Sequence, residues 1–330
     1  MQMLINYLIY RYLCCIFVVM KDKHFKSLID IIKVFPDEHS AHQYLAEQRW
    51  SDGVIECPHC DHDRAYIFKD GIRYECCSCK KQFTAKTGTI MEASKLPTIK
   101  WIFAMYLVLH KKGISSVQLA KDISVTQKTA WFILHRIRTA LGHDTEKRNL
   151  EGTVEIDETF VGGKNRNRHY SKRMKYKELT GRTFPDKTTV FGMYERETKT
   201  VRCMVVSRKE FRSLGRIITY NIQPGSTLMT DDWNGYNGVL DKIYKRHFID
   251  HSKWVYVDGE VTTNRMENFW SHFKRGLNGT YIRVTPKHLN KYVKEFEFRF
   301  NNRNLGEQQQ IDAIIKRMNC RLKYKDLIAA

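Results

Sequence analysis

Seven residues in this 330-residue chain have the types and spacing to do chemistry: four cysteines near the start and three acids further on. Cys57-Pro-His-Cys60 and Cys76-Cys-Ser-Cys79 are two C-x-x-C pairs with fifteen residues between them. That pattern suits paired knuckles closing one tetrahedral Zn²⁺ site. Cys77 offers a second register, but Cys76 with Cys79 repeats the gap of Cys57 with Cys60; His59 and His62 are weaker substitutes. The remaining cysteines, at 14, 15, 203 and 320, are scattered. An odd total dominated by knuckle pairs argues for metal in a reducing interior rather than a disulfide framework.

The acids are Asp157, Asp231 and Glu267. Asp157 ends the alternating stretch Thr153-Val-Glu-Ile-Asp157, a strand pattern, and Asp231 follows the apolar run Ser226-Thr-Leu-Met-Thr230. Glu267 lies in the helical segment Asn264-Arg-Met-Glu-Asn-Phe-Trp-Ser-His-Phe-Lys274. If a fold brings them together, carboxylates of this kind hold hard divalent cations, and two such ions about 4 Å apart can drive in-line phosphoryl displacement. Asn264, Glu267, Ser271 and Lys274 recur at helical steps and share one face, which aims Lys274 at a phosphate. Asn264-x-x-Glu267 is equally a capping-box pattern, in which Glu267 would only satisfy a backbone N–H. Glu155, Glu158 and Asp232 are neighbouring acids; alternation puts Glu155 on the same strand face as Asp157, and Asp232 could displace Asp231 by one place. Trp233, Gly235 and Tyr236 suit either base stacking or packing under a turn. Trp270 and Phe273 fall on the core side of their helix.

Positioning those residues requires an α/β multidomain chain. Net charge is +20, with 42% hydrophobic and 12% aromatic residues, the composition of a globular protein with a polyanionic partner. A first apolar stretch, 3–20, contains Asn6 and Arg11 and lacks a basic leading region and a clear cleavage site. A misplaced start suits it better than a signal peptide or anchor. Residues 1–19 are therefore expected to stand outside the fold, with no membrane role. Two short helices split at Pro36 form a leader over 20–53, followed by a zinc ribbon over 54–91. Pro97 opens a helical region over 97–142 in which 114–138 reads as a helix-turn-helix, with Ser116 and Thr126 as N-caps. Val117, Leu119, Ala120 and Ile123 would pack on Ala130, Ile133, Leu134 and Ile137, leaving Gln127, Lys128 and Thr129 at the front of the second helix, where base edges are read. The same pattern also occurs in three-helix bundles that bind nothing. Strands are expected at 154–160, 189–194, 201–206 and 227–229, with a helix at 209–220 and helix-rich sequence over 264–301. Residues 164–187 are dense in Lys and Arg, with Lys164, Arg166, Arg168, Lys172 and Arg173 available to a phosphate backbone.

Further runs carry a family resemblance. Arg49-Trp-Ser-Asp-Gly53 before the first knuckle, Cys79-Lys-Lys-Gln-Phe83 and Thr87-Gly-Thr-Ile90 look like the zinc-ribbon leader of bacterial insertion-sequence transposases of family fifteen-ninety-five. Thr129-Ala-Trp131, His135-Arg-Ile-Arg138, Ile156-Asp-Glu-Thr-Phe-Val-Gly-Gly-Lys164 and Thr230-Asp-Asp-Trp-Asn-Gly-Tyr236 continue it. Thr263-Asn-Arg-Met-Glu-Asn-Phe-Trp-Ser271 and Glu295-Phe-Glu-Phe-Arg-Phe-Asn301 complete it in order. The resemblance implies an RNase H-like catalytic domain over 150–305, a mixed sheet flanked by helices, with a tail at 306–330. It implies a DDE triad of Asp157, Asp231 and Glu267, an accompanying Lys274, and Asn264 as an alternative third ligand or helper. By that likeness the chain binds the terminal inverted repeats of an insertion sequence, hydrolyses the 3′ ends and transfers them into target DNA with two Mg²⁺ or Mn²⁺ ions. It would act as a cytoplasmic, DNA-associated homodimer or higher oligomer. A zinc-ribbon regulator and an RNase H-like nuclease or resolvase are the competing classes.

Overall fold

A computed structural model describes residues 25–110, 112–143, 148–163, 165–181, 187–207, 214–231, 242–249 and 262–329, with backbone alone at 165, 180, 231, 248 and 249. The expected extension 1–19, Lys164, and the Asp232, Trp233, Gly235 and Tyr236 group lie outside these residues. Among them, no helix is long and apolar enough to cross a membrane.

The chain divides into two compact units: 1–106 with 305–316, and 107–304 with 317–330. The first begins with α1 (Leu28–Val34) and α2 (Glu38–Arg49), split at Pro36 as the sequence predicts. Ser27 and Asp37 cap them by accepting from the N–H groups of Asp30 and Ser40. A three-stranded antiparallel sheet follows: β1 (Ala65–Ile67), β2 (Arg73–Cys76) and β3 (Gln82–Thr84). Tyr74 and Phe83 of this sheet stack with centroids 5.6 Å apart, and Trp50 meets both rings edge-on. α3 (Thr98–Val108) starts on Glu38, whose carboxylate accepts from the Thr98 N–H and hydroxyl. α10 (Glu307–Lys316) returns to this unit, where Asp312 accepts from the Tyr44 hydroxyl. Part of the expected C-terminal tail is thus a helix of the first unit.

The second unit holds a five-stranded sheet: β4 (Thr153–Val161), β5 (Thr188–Glu195), β6 (Thr200–Val206), β7 (Thr227–Asp231) and β8 (Lys245–Ile249). Their spatial order is β6-β5-β4-β7-β8; β4, β5 and β6 run antiparallel, and β7 and β8 lie parallel to β4. This is the RNase H-like arrangement. One face packs Val154, Ile156, Phe191, Met193 and Leu228 against α7 (Leu214–Asn221). The other is covered by α8 (Asn264–Gly276), a π-helical turn (Leu277–Tyr281) and α9 (Pro286–Asn301). The helix-rich stretch 264–301 is thus two helices around a turn. β8 was not legible, because Lys245-Arg-His-Phe-Ile carries three basic residues on an edge strand.

The helix-turn-helix forms as α4 (Ser116–Asp122) and α5 (Gln127–Leu141), with Ser124 left-handed (φ +50°) in the turn. Thr126 caps α5 as expected; α4 is capped one residue early, by Ser115. Leu119, Ala120 and Ile123 are buried as predicted, but Val117 is exposed. The pair is no separate domain: both helices belong to the unit that holds the sheet. The reason lies in the His135-Arg-Ile-Arg138 run. Arg138 is fully buried, donates through Nε to Glu295 of α9 at 2.6 Å, and lies over the Tyr292 ring. Glu295 also accepts from the Tyr281 hydroxyl and pairs with Arg299. A side chain at Gly113 (φ +71°) would strike this group, meeting Arg299 at 2.7 Å and Glu295 at 2.9 Å. His135 packs among Trp131, His288 and Tyr292; burial first, then the Arg138 charge, push its ring down to about 2, so it stays neutral.

Candidate metal centres and nucleic-acid surfaces

The thiols of Cys57, Cys60, Cys76 and Cys79 all lie within 4.8 Å of one another. Cys57 and Cys79 sulfurs are 3.7 Å apart, and Cys60 and Cys76 sulfurs 3.6 Å. Four bonds of 2.3 Å in a tetrahedron place sulfurs about 3.8 Å apart, so these two spacings fit a shared zinc ion. Each knuckle closes the same way: Asp61 and Lys80, the residues after the second cysteine of each pair, are left-handed at +57° and +58°. Their N–H groups donate to the carbonyls of Cys57 and Cys76. Burial works to raise the Cys76 thiol, but the N–H groups of Cys79 and Ser78 outweigh it and bring it down to about 6, whereas burial raises Cys57, so the four thiols are not equally ready to ionise. The cluster takes in Cys76 and Cys79 and leaves out Cys77, His59 and His62.

The acids belong to the sheet unit. β4 and β7 pair in parallel with a constant offset, Thr153 with Thr227 and Glu155 with Met229, a difference of 74. Asp157 and Asp231 differ by the same 74, so the register carried two residues on sets them level on neighbouring strands. Asp157 is half-buried, and its carboxylate accepts from the Glu158 N–H at 2.8 Å. On the other side of β4, Asp157 pairs with Gly192 of β5. Directly opposed residues of antiparallel strands face the same way, and a Cβ at Gly192 would point into α8, 2.6 and 2.9 Å from the Trp270 ring and closer still to the Met266 methyl. Asp157 therefore lies on the face that α8 covers, beside the turn bearing Glu267.

On α8, Met266, Phe269, Trp270 and Phe273 are buried, while Asn264, Glu267, Ser271 and Lys274 are exposed on the helix's other side. The capping-box alternative is not what forms: the N-cap is Thr263, and among the described residues the Glu267 carboxylate accepts no hydrogen bond. Carboxylate oxygens such as those of Asp157 and Glu267 suit a hard cation. Glu155, left open by alternation, has a different place: it is fully buried and engaged with Arg196 and the start of α8.

Gly192 carried no signal in the sequence, since a glycine within a strand is only a hint of close approach. Gly192→Ala is expected to destabilise by about 1–3 kcal/mol through overpacking. It should lower any metal-dependent DNA cleavage further than the melting shift accounts for, because α8 must move off β5; thermal melts and nicking on the same preparation check this.

The expected DNA contacts are distributed unevenly. Gln127 and Lys128 are exposed at the first turn of α5; Gln127 donates to the Ser116 hydroxyl at 2.8 Å, and Lys128 lies 5.1 Å over the Tyr324 ring of α11 (Tyr324–Ile328). Thr129 is half-buried within the cap of α5. The basic segment after β4 contains a helix that the sequence did not reveal, α6 (Tyr170–Thr180), preceded by a short 3₁₀ turn (Asn165–Asn167) and ended by left-handed Gly181. Arg166, Arg168 and Lys172 are exposed and Arg173 is half-buried over Tyr170. Its period was hidden because it has little apolar face to reveal one.

A mixed sheet of RNase H-like order with a Cys₄ ribbon ahead of it in sequence is the architecture expected of a transposase-type chain, and comparison with known proteins identifies it as one. Residues 149–301 match the ISXO2-like transposase domain and 36–82 the transposase zinc-ribbon domain. The uncharacterized protein in transposable element ISH50 of Halobacterium salinarum is 32% identical over 277 residues, 81% of this chain and 92% of that protein. An uncharacterized transposase-like protein of Haemophilus influenzae is 34% identical over 112 residues, 34% of this chain and 89% of that one. The chain belongs to the ISXO2-like transposase family. Among solved structures, a pre-cleavage Mos1 transpososome is 11% identical over 62% of this chain and 74% of that chain, at a TM-score of 0.26, a superposition too loose to bear on function.

Proposed function

We propose that this transposase binds the terminal inverted repeats of its element, hydrolyses the phosphodiester at each 3′ end and transfers the freed 3′-OH groups into target DNA. Asp157, Asp231 and Glu267 would hold two Mg²⁺ or Mn²⁺ ions. Bound there, such ions supply activation of the attacking oxygen and stabilisation of the leaving one. The observation that carries the reading is the shared 74-residue offset of Asp157 and Asp231, with α8 seated on Gly192 directly opposite Asp157. Lys274, two turns along the exposed face from Glu267, is placed to meet a phosphate, and Asn264 stands at the head of that face as a helper or alternative ligand. The Cys₄ zinc is structural.

Sequence recognition falls to the exposed first turn of α5, with Lys128 the freest base-edge or phosphate contact once it leaves Tyr324. Arg166, Arg168, Lys172 and Arg173, with Lys164, supply backbone contacts from the α6 segment. Replacing the first four together with alanine is expected to flatten the salt dependence of binding by up to about 3.6 in log–log slope, at 0.9 per phosphate. A titration over 50–200 mM salt reads it, and an unchanged slope removes the segment from the DNA interface. Joining two ends calls for at least a dimer. A strand-transfer assay with a pre-cleaved end tests the whole reading: joined product is expected, and cleavage of intact ends without joining would mark a nuclease or resolvase instead.

A further inference from the structure

We propose that Glu155, with Arg196, is a positioning residue for the metal centre, fixing the first turn of α8 to the strand that bears Asp157. The inference rests on the reading of Asp157, Asp231 and Glu267 as metal ligands. Glu155 is completely buried. One carboxylate oxygen accepts from the N–H groups of Arg265 and Met266 at 3.1 and 3.2 Å; the other accepts from Arg196 Nε at 2.8 Å. Arg196 also donates through Nη2 to the Thr262 carbonyl, at 2.8 Å, just ahead of the helix.

The start of a helix leaves N–H groups to be satisfied, and a local side chain usually does this. Here the N-cap, Thr263, contributes no side-chain hydrogen bond. A local cap would stabilise α8 equally well but would leave its position on the sheet undefined. A carboxylate from β4 does both, and it sits two residues from Asp157 on the same face of one strand. Burying an ion pair carries a desolvation cost that an apolar contact would avoid, so a pair here is better explained by placement than by stability. The negative charge also suits the positive end of the helix dipole. Glu267 follows Met266 directly, so the clamp holds the turn from which its carboxylate projects.

The test uses the full chain and Mn²⁺. Two variants are made: Glu155→Asp keeps the charge but draws it back from α8, and the double variant Glu155→Gln with Arg196→Met removes both charges together. Mn²⁺ affinity is read by electron paramagnetic resonance, amide exchange at Arg265 and Met266 by mass spectrometry, and nicking on a duplex from the element's end. Both variants are expected to weaken Mn²⁺ binding about 10-fold or more, as loss of a group orienting metal ligands does. Amide protection should fall at 265 and 266, while DNA binding in chelator is retained. The double variant is expected to melt near wild type, since no lone buried charge remains. Wild-type Mn²⁺ affinity in either folded variant overturns the proposal and makes Glu155 a purely structural cap. Glu267→Gln separates this from the parent reading. If Glu267→Gln cleaves normally, the metal-site assignment itself fails; if it is inactive while the Glu155 variants bind Mn²⁺ normally, only the positioning role falls.

Discussion

Asp157→Asn is expected to lower Mg²⁺- or Mn²⁺-dependent end cleavage at least ~10³-fold, a rise of about 4 kcal/mol in the barrier, while leaving DNA binding in chelator intact. The substitution changes one oxygen to an amide nitrogen and preserves size, so β4 keeps its pairing to Gly192 and the packing of α8 is undisturbed. The Asn oxygen can still accept from the Glu158 N–H, as the carboxylate does. What is lost is negative charge where a divalent cation must shed part of its water, and the acid that shares its strand face does not replace it: Glu155 is committed to Arg196 and α8. Glu267→Gln should behave alike. The measurement is cleavage and strand transfer on labelled element ends, with a mobility-shift control. Strand transfer retained at wild-type rate in either variant would falsify the assignment.

Removal of zinc carries the other large effect. The sheet of β1, β2 and β3 has strands of three or four residues, and its aromatic core is little more than Trp50, Tyr74 and Phe83. So small a core cannot offset the conformational entropy of the ribbon. Zinc coordination by four thiolates contributes roughly 10–16 kcal/mol of apparent folding energy in small sites. A strong chelator, or Cys76→Ser, is expected to release one zinc equivalent and to melt the ribbon, read by loss of near-ultraviolet dichroism and a red shift of Trp50 emission. Cys77→Ser should keep its zinc. It is the informative control, because Cys77 stands next to a ligand in sequence and outside the cluster in space. Zinc loss in Cys77→Ser with retention in Cys76→Ser would reverse the register.

The zinc ligands, the four expected strands and the split leader helices were legible because each depends on local pattern. C-x-x-C spacing sets a knuckle, alternation sets a strand, and Pro36 ends a helix. Other features were hidden for equally physical reasons. α6 is almost entirely solvated, so no apolar period marks it. β8 is basic and lies at an edge. The attachment of the helix-turn-helix to the sheet unit was hidden because Arg138 finds its partner, Glu295, 157 residues away, and no local pattern reports such a pair.

By itself, the sequence determined which residues have the chemistry: four thiols at ligand spacing, acids on two strands and a helix, and a basic chain suited to a polyanion. It could not separate Glu155 from Asp157, since both lie on one strand face, nor a capping Glu267 from one free to bind metal. Tertiary structure decided both. The parallel register of β4 and β7 sets Asp157 level with Asp231, while α8, seated on Gly192, takes Glu155 as its cap and leaves Glu267 open. The physical reason is that a carboxylate's role depends on what satisfies it, and the groups that satisfy Glu155 lie on Arg196, 41 residues along the chain, and at the start of α8, more than a hundred.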